Sequence, residues 1–407
     1  MTQGPLLSLL DYTDAPNDTS ILHVFAKRTY TFAPGHRPIV APLQVPLHLD
    51  AEYHPPTGQG DEGAPRTDCD IFCLRKAGTD VVVQGSAHST KGPVPCMDVG
   101  VSILGTREPE RAGRRIRVTG DRHAEYRGNG NHVVFSPPES FEKMPLTYAR
   151  AYGGCDLWSA ADHPDEMGDW LAKHSAFSGS ELSLYRYPRN PAGRGFLVHP
   201  SRAAFDALML PNLEFPEDML TPSRLCTGDL YRWPTAPFPA GFDWFDTSWF
   251  PRLAFLLATS TPHRCDPADF SEVRGGVVPR ELVASTSVQG ESGSNAGAAG
   301  RDRFYHGASP WLAVAPLSGR ETIVLWGMHP LAPRLDVPLP AETPQVLFEL
   351  PNGRVIESEA SLRTVVVRPD DGQLTTVWVA RHWAGQALTP AQAVRIRHAV
   401  RWRARSS

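Results

Sequence analysis

Seven side chains in the first third of the sequence are of the types that acid–base or metal chemistry uses. Asp68, Asp70, Asp80, Asp98 and Asp121 carry carboxylates, and His88 and His123 carry imidazoles that titrate near neutrality. They sit near the ends of segments with strand character, where the loops of a β scaffold gather. Two carboxylates, or a carboxylate and an imidazole, could meet there to hydrolyse a carbohydrate or peptide or to hold a metal. Aspartate at a strand end is also the ordinary turn and cap residue, because its carboxylate accepts local backbone N–H groups. The spacing favours that second reading.

Other chemistries leave weaker traces. The glycine-rich stretch 290–300 lacks the Gly-Lys-Ser/Thr ending of a phosphate loop, and no G-x-G-x-x-G follows a strand and opens a helix. The glycines of "GESGS" are wrongly placed for a nucleophile elbow. Cys69 and Cys73 stand four positions apart and share one face of a strand, yet no second Cys or His pair stands at ligand spacing, so buried thiols are expected. The reading is a chain without a cofactor, a metal or an enzymatic activity.

A third constellation is aromatic and basic. "MPLTYARAYGG", residues 144–154, spaces Tyr148, Arg150 and Tyr152 two apart and closes on Gly153 and Gly154. It could grip a partner, since Tyr and Arg are common interface anchors. It could instead be a crossing between β segments, with the rings in the core, Arg150 a hydrogen-bonding staple and the glycines permitting close approach. The crossing is favoured.

The elements that must position these residues are mostly strands. "HVFAKRTYTFAP", "LQVPLHLDA", "CDIFCLRK", "TDVVVQGSAH", "CMDVGVSILG", "RRIRVTGD" and "NHVVFSPP" are rich in β-branched or aromatic residues and bounded by turn formers, and "RGNGNH" reads as a tight turn. From about 139 to 270 periodicity fades. "DEMGDWLAKHSAFSG" suggests a short helix, and Pro-rich loops carry Trp158, Trp170, Trp233, Trp244 and Trp249. Strand signals resume in "ETIVLWGMHP", "RLDVPLP", "QVLFELPNG", "RTVVVRPDDG" and "LTTVWVARHW", with "RPDDG" a hairpin turn. At the C-terminus Thr389 and Pro390 read as the start of a helix, with Ala393, Ile396 and Val400 as its apolar stripe and arginines on other faces, open to an acidic protein partner. The 39 prolines and 34 glycines are scattered without period, as many short strands joined by turns require.

The expected fold is mainly β: an antiparallel sandwich with long Pro/Trp-rich loops and a C-terminal helix. It divides into a β-rich region over 1–283, a flexible Gly/Ser/Ala-rich insert over 284–302, and a second β-rich region over 303–407 that can complete the same fold. The formal net charge of −4 lacks the footprint of a nucleic-acid binder. No apolar run reaches the ~18 residues of a membrane span, and the N-terminus lacks the basic start of a secretory signal. The six cysteines are spread thinly, which fits reduced thiols and a cytoplasmic location.

Taken together, several stretches resemble one bacterial family, the domain of unknown function 2169 proteins, encoded beside type VI secretion genes. The resemblance rests first on Lys27, Thr29, Tyr30 and Phe32, then on Asp70, Lys76, Asp80, Val81–Val83, Gly85, Ala87 and His88, and on Val118, Gly120, Asp121 and Arg122. The 144–154 stretch matches the family's "mPl-x-y-x-r-A-f/y-GG" signature throughout. Asn190, Pro191, Gly193, Gly195 and Phe196 follow its "NP-x-G-x-Gf", and Leu210, Pro211, Asn212, Glu214 and Pro216 its "LPN-x-E-x-P". Pro239, Ala240, Gly241, Phe242, Trp249, Pro251 and Arg252 match "PaGf…W-x-pR", and a tail from Leu325 to Trp378 completes a likeness from about residue 20 to 383. The resemblance implies a non-enzymatic adaptor or chaperone. Such a protein binds a secreted effector and helps it dock onto a VgrG- or PAAR-type spike, with Tyr148, Arg150, Tyr152, Gly153, Gly154, Asn212, Glu214, Gly241, Phe242, Trp249 and Arg252 serving as scaffold or as partner contacts. The rivals are a hydrolase built on the strand-end carboxylates and a structural component of the injection apparatus.

Overall fold

A computed structural model describes residues 5–15, 19–56, 63–76, 78–106, 113–127, 132–162, 185–228, 230–249, 252 and 305–404. The short helix expected within 165–179, the insert 284–302 and the tip of the "RGNGNH" turn lie outside those residues.

Twelve strands carry the argument: β1 Ser8–Ala15, β2 Thr19–Thr31, β3 Thr79–Val83, β4 Cys96–Leu104, β5 Gly113–Thr119, β6 Leu213–Glu214, β7 Thr322–Trp326, β8 Arg334–Pro338, β9 Glu342–Glu349, β10 Val355–Arg368, β11 Gln373–Trp383 and β12 Arg397–Ala404. The larger sheet runs β1-β2-β11-β10-β9-β12, with β3 beside β10 and the short strands Ile39–Val40 and Ala313–Val314 on β2 and β3. The smaller sheet runs β6-β5-β4-β7-β8. All pairings in these two sheets are antiparallel except β10 with β3. Strands before residue 283 pair with strands after 303 in both sheets: β2 with β11, and β4 with β7. The mainly β, antiparallel expectation holds.

One hydrophobic cluster takes side chains from both sheets. Val24, Val82, Val365 and Trp378 come from the larger sheet, and Val99, Ile116, Ile323 and Val337 from the smaller. A second cluster gathers Tyr152, Tyr185, Tyr187, Phe196, Leu197 and Phe205 from the loop region after β5. Strand β2 is buried on both faces. Leu22, Val24 and Tyr30 enter the main core, while Phe25 packs with Leu47, Val377 and Val379 under the 41–50 segment.

Strand β10 changes partner along its length. Val355–Glu359 lie against β9, the register shifts between Leu362 and Thr364, and Thr364–Val367 then lie parallel to β3. Arg363, at the shift, donates to the Lys76 carbonyl at 2.6 Å. The turn to β11 is the expected one. Pro369–Asp371 form a single 3-10 turn, and Gly372 takes the left-handed conformation at φ 59° that glycine adopts without cost.

Three elements differ from expectation. The segment "LQVPLHLDA" forms no strand, because Pro46 lacks the N–H a ladder needs. Gln44 replaces the ladder, with its side chain bonding both the N–H and the C=O of Thr29. "CDIFCLRK" is a 3-10 helix, Asp70–Arg75, entered through a local bond from Cys69 N–H to the Asp68 carboxylate. The C-terminal helix is a single turn. Thr389 and Gln392 form a reciprocal capping box over Pro390–Ala393, and the chain then rejoins the sheet as β12. Residues 397–404 also alternate with period two, and pairing with β9 overrides the helical pattern.

Candidate functional site

The 144–154 stretch is a crossing. Lys143–Pro145 pair with Ser86–His88, Tyr148–Arg150 make one 3-10 turn, and Tyr152–Gly153 lie parallel to Arg194–Gly195. The turn sends Tyr148 and Tyr152 into different cores. Tyr148 meets Phe245 and Trp249 edge-on at 5.7 and 5.4 Å in the main cluster. Tyr152 meets Tyr187 edge-on at 5.1 Å in the second cluster. These eleven residues therefore join the two hydrophobic clusters, and both tyrosines are buried.

The surrounding motif residues close the junction. Asn190 donates its amide to the carbonyls of Tyr148 and Tyr152 at 2.8 and 3.1 Å. A Cβ on Gly153, whose φ is +153°, would stand 2.0 Å from the Asn190 carbonyl oxygen, so no side chain fits there. A Cβ on Gly241 would stand 2.6 Å from the Tyr148 ring. Phe242 is buried and its carbonyl accepts from Val83 N–H at 2.8 Å. Trp249 is buried, and the buried Arg252 donates to the Phe245 carbonyl and pairs with Asp68 at 3.4 Å. Glu214 is buried against Arg122 and accepts Leu220 N–H at 2.7 Å; burial pushes its carboxyl up against the pull of Arg122.

Within 144–154, Pro145, Thr147, Ala149 and Arg150 are exposed or half-buried, and of these Arg150 alone is charged. Arg150 Nη1 donates to Asp121 at 3.2 Å and to Asn212 Oδ1 at 3.0 Å. The Asn212 amide donates to the same Asp121 oxygen and to the Thr119 carbonyl, both at 2.9 Å. Arg194 approaches that oxygen at 3.6 Å and donates to the Ala149 carbonyl at 3.2 Å. Burial lowers the Arg194 pKa, Arg150 lowers it further, and Asp121 opposes both. Two half-buried guanidiniums thus share one carboxylate, leaving a local excess of one positive charge. Such a cluster can accept a further carboxylate from outside.

The seven strand-end acids and histidines are spread over separate ion pairs. Asp70 holds Lys27 at 2.7 Å, Asp68 holds Arg252, and Asp98 lies between Arg115 and Arg117. His123 bonds Ser136 at 3.2 Å and lies 3.2 Å from Glu125. His88 Nε2 bonds Asp370 at 2.8 Å, and Ser86 Oγ donates to the other Asp370 oxygen at 2.8 Å. The imidazole does not stand between hydroxyl and carboxylate, as a nucleophilic triad requires. Asp68, Asp70, Lys27 and His48 line a recess of about 10 Å³, the size of one water and far below the ~300 Å³ of a small-molecule site. No group of three His, Cys, Asp or Glu able to hold a metal is found among the described residues, where Cys69 is a free thiol.

Two buried groups, Asp243 and the His306 beside the strand-end Asp80, escaped the sequence reading. Asp80 is wholly buried with Lys76 at 2.6 Å, His306 at 2.5 Å and Gly307 N–H at 2.8 Å. Burial opposes its charge, but Lys76 and His306 outweigh that and hold the carboxyl well below the usual range. Lys76 and Asp80 stand four apart within a motif, which is a signal; His306, 226 positions on, gives none. Asp243 accepts Gln84 Nε2 and Trp244 N–H, each at 2.8 Å, and burial pushes its carboxyl up to about 7.

The family described as "Uncharacterized protein conserved in bacteria (DUF2169)" matches residues 17–379, and the chain belongs to it. No curated protein and no solved structure matches the chain. No described helix is long and apolar enough to cross a membrane.

Proposed function

We propose that the chain is a non-enzymatic adaptor or chaperone that works in the cytoplasm. It binds a type VI secretion effector and helps load it onto a VgrG- or PAAR-type spike. The two sheets act as the layers of a sandwich, a rigid scaffold from which loops and edges meet the partner. The observation that carries the reading is how the family signature is used. Its rings, glycines and asparagines are spent on joining two cores, and its one partly exposed charge, Arg150, shares the Asp121 carboxylate with the neighbouring Arg194. A signature spent on shape and a charged contact fits a binding scaffold better than a catalyst. The separate pairing of the strand-end acids supports the same choice over a hydrolase.

The test is affinity purification of the tagged chain from its host, compared with Arg150→Ala/Arg194→Ala. Recovery of an effector or spike protein by the wild type, reduced at least about tenfold by the double variant, is expected. Recovery of neither protein contradicts the proposal.

A further inference from the structure

In a helix, the C-terminal arginines would point in several directions. In a strand, alternation puts Arg397, Ala399, Arg401 and Arg403 on one face of β12 and His398, Val400 and Trp402 on the other. The observed exposure follows that division: the first four residues are exposed and the other three half-buried. Arg401 and Arg403 are about 6.6 Å apart along the strand and Arg397 and Arg401 about twice that. Among the described residues none of the three guanidiniums has an ion-pair or hydrogen-bond partner. Even Glu349, opposite Arg397 in register, makes no ion pair with it.

β12 also ends the larger sheet. It is bonded to β9 on one side, and no described strand is bonded to its other side. At one end β12 comes close to β1, where Ser8 Oγ and His398 Nε2 bond at 3.0 Å, without a backbone pairing between the two strands. An edge with unpaired backbone groups is a template for another strand, and charge on it decides which strands are refused and which attracted. Same-face neighbours across a new pair would lie about 5 Å apart, within reach of a carboxylate. The rest of the chain is net negative. The positive charge is therefore a local feature of this edge, not a general attraction for polyanions.

We propose that the free edge of β12 binds an extended acidic segment of a partner protein, added as a strand, with carboxylates at alternate positions over Arg397, Arg401 and Arg403. The proposal deepens the adaptor reading by naming the chemistry of the segment bound, and rests on it only in that a partner protein supplies that segment.

The test uses the full chain and three labelled eight-residue peptides followed by fluorescence anisotropy. The first alternates Glu and Val, the second replaces Glu by Lys, and the third is the acidic peptide N-methylated at alternate residues, so that it keeps its charge and loses its hydrogen-bonding edge. The acidic peptide is expected to bind saturably and more weakly at high salt, the methylated and basic peptides at least about tenfold more weakly. Arg397→Glu/Arg401→Glu/Arg403→Glu is expected to abolish binding. Arg397→Gln/Arg401→Gln/Arg403→Gln, with an unchanged unfolding midpoint, should weaken it at least about tenfold. Equal binding of the methylated peptide overturns strand addition, and binding undiminished in both triple variants, or absent from the wild type, overturns the site. In purification from the host, a Glu variant that still recovers the effector or spike overturns the edge and leaves the adaptor standing. A wild type that recovers neither, yet binds the acidic peptide, supports the edge and overturns the adaptor.

Discussion

The crossing at 144–154 and the β12 edge use arginine in opposite ways. At the crossing, Arg150 and Arg194 converge on Asp121, Asn212 and a backbone carbonyl, between two hydrophobic clusters. On β12, three guanidiniums lie exposed along one face with no partner among the described residues. The first arrangement fixes geometry, because each donor has a defined acceptor and moving one disturbs the others. The second has no such acceptors among the described residues. At the crossing the charged side chains have partners within the fold, while Arg397, Arg401 and Arg403, beyond the matched residues 17–379, have none among the described residues.

Breaking the buried side of this comparison should give the largest effect. Asp80→Ala strands Lys76 and His306 in the interior and is expected to lower unfolding free energy by about 3–5 kcal/mol in urea titration. A loss below about 1 kcal/mol would mean that Asp80 is not the group that holds them.

Asp243 sharpens the contrast, since it is buried without a cation in bonding contact among the described residues. Its raised pKa means that the folded chain keeps a proton the unfolded chain has released between about pH 4 and 7. Stability from this group is therefore present at low pH and lost as pH rises through about 7. Asp243→Asn should remove that dependence and stabilise the protein at pH 8 relative to wild type by roughly 2–4 kcal/mol. Parallel stability–pH curves for the two proteins between pH 5 and 8 would count against it.

The sequence carried the strands well wherever local pattern and partner agreed, as in "TDVVVQGSAH" and "LTTVWVARHW". It misled where one pattern served two structures. "AQAVRIRHAVRWRA" carries a helical stripe and a two-residue alternation at once, and only the distant β9 decides between them. Within the candidate site, Tyr148 and Tyr152 were legible as rings flanking Arg150. Their division between two clusters was not, because Trp249 and Tyr187 are brought in by loops with no periodicity. His306 was invisible for the same reason.

Smaller effects separate packing from polarity. The Tyr152 hydroxyl is buried with no hydrogen-bond partner among the described residues. Tyr152→Phe should leave stability within about 1 kcal/mol of wild type, in the stabilising direction, by thermal unfolding. A clear loss would assign the hydroxyl a bond. On the exposed side, Arg401→Ala should shift stability by no more than about 0.5 kcal/mol, since the side chain is exposed and has no partner among the described residues. A larger shift would place it among the residues that hold the fold.

The most direct test of the central claim is light scattering coupled to size exclusion, at about 10 μM, on the purified chain mixed with each type VI effector and spike protein of its host. A stable complex that co-elutes, with neither component chemically altered by mass spectrometry, is the result expected of an adaptor. Separate elution of every such protein, or cleavage of one of them by the chain, would contradict it.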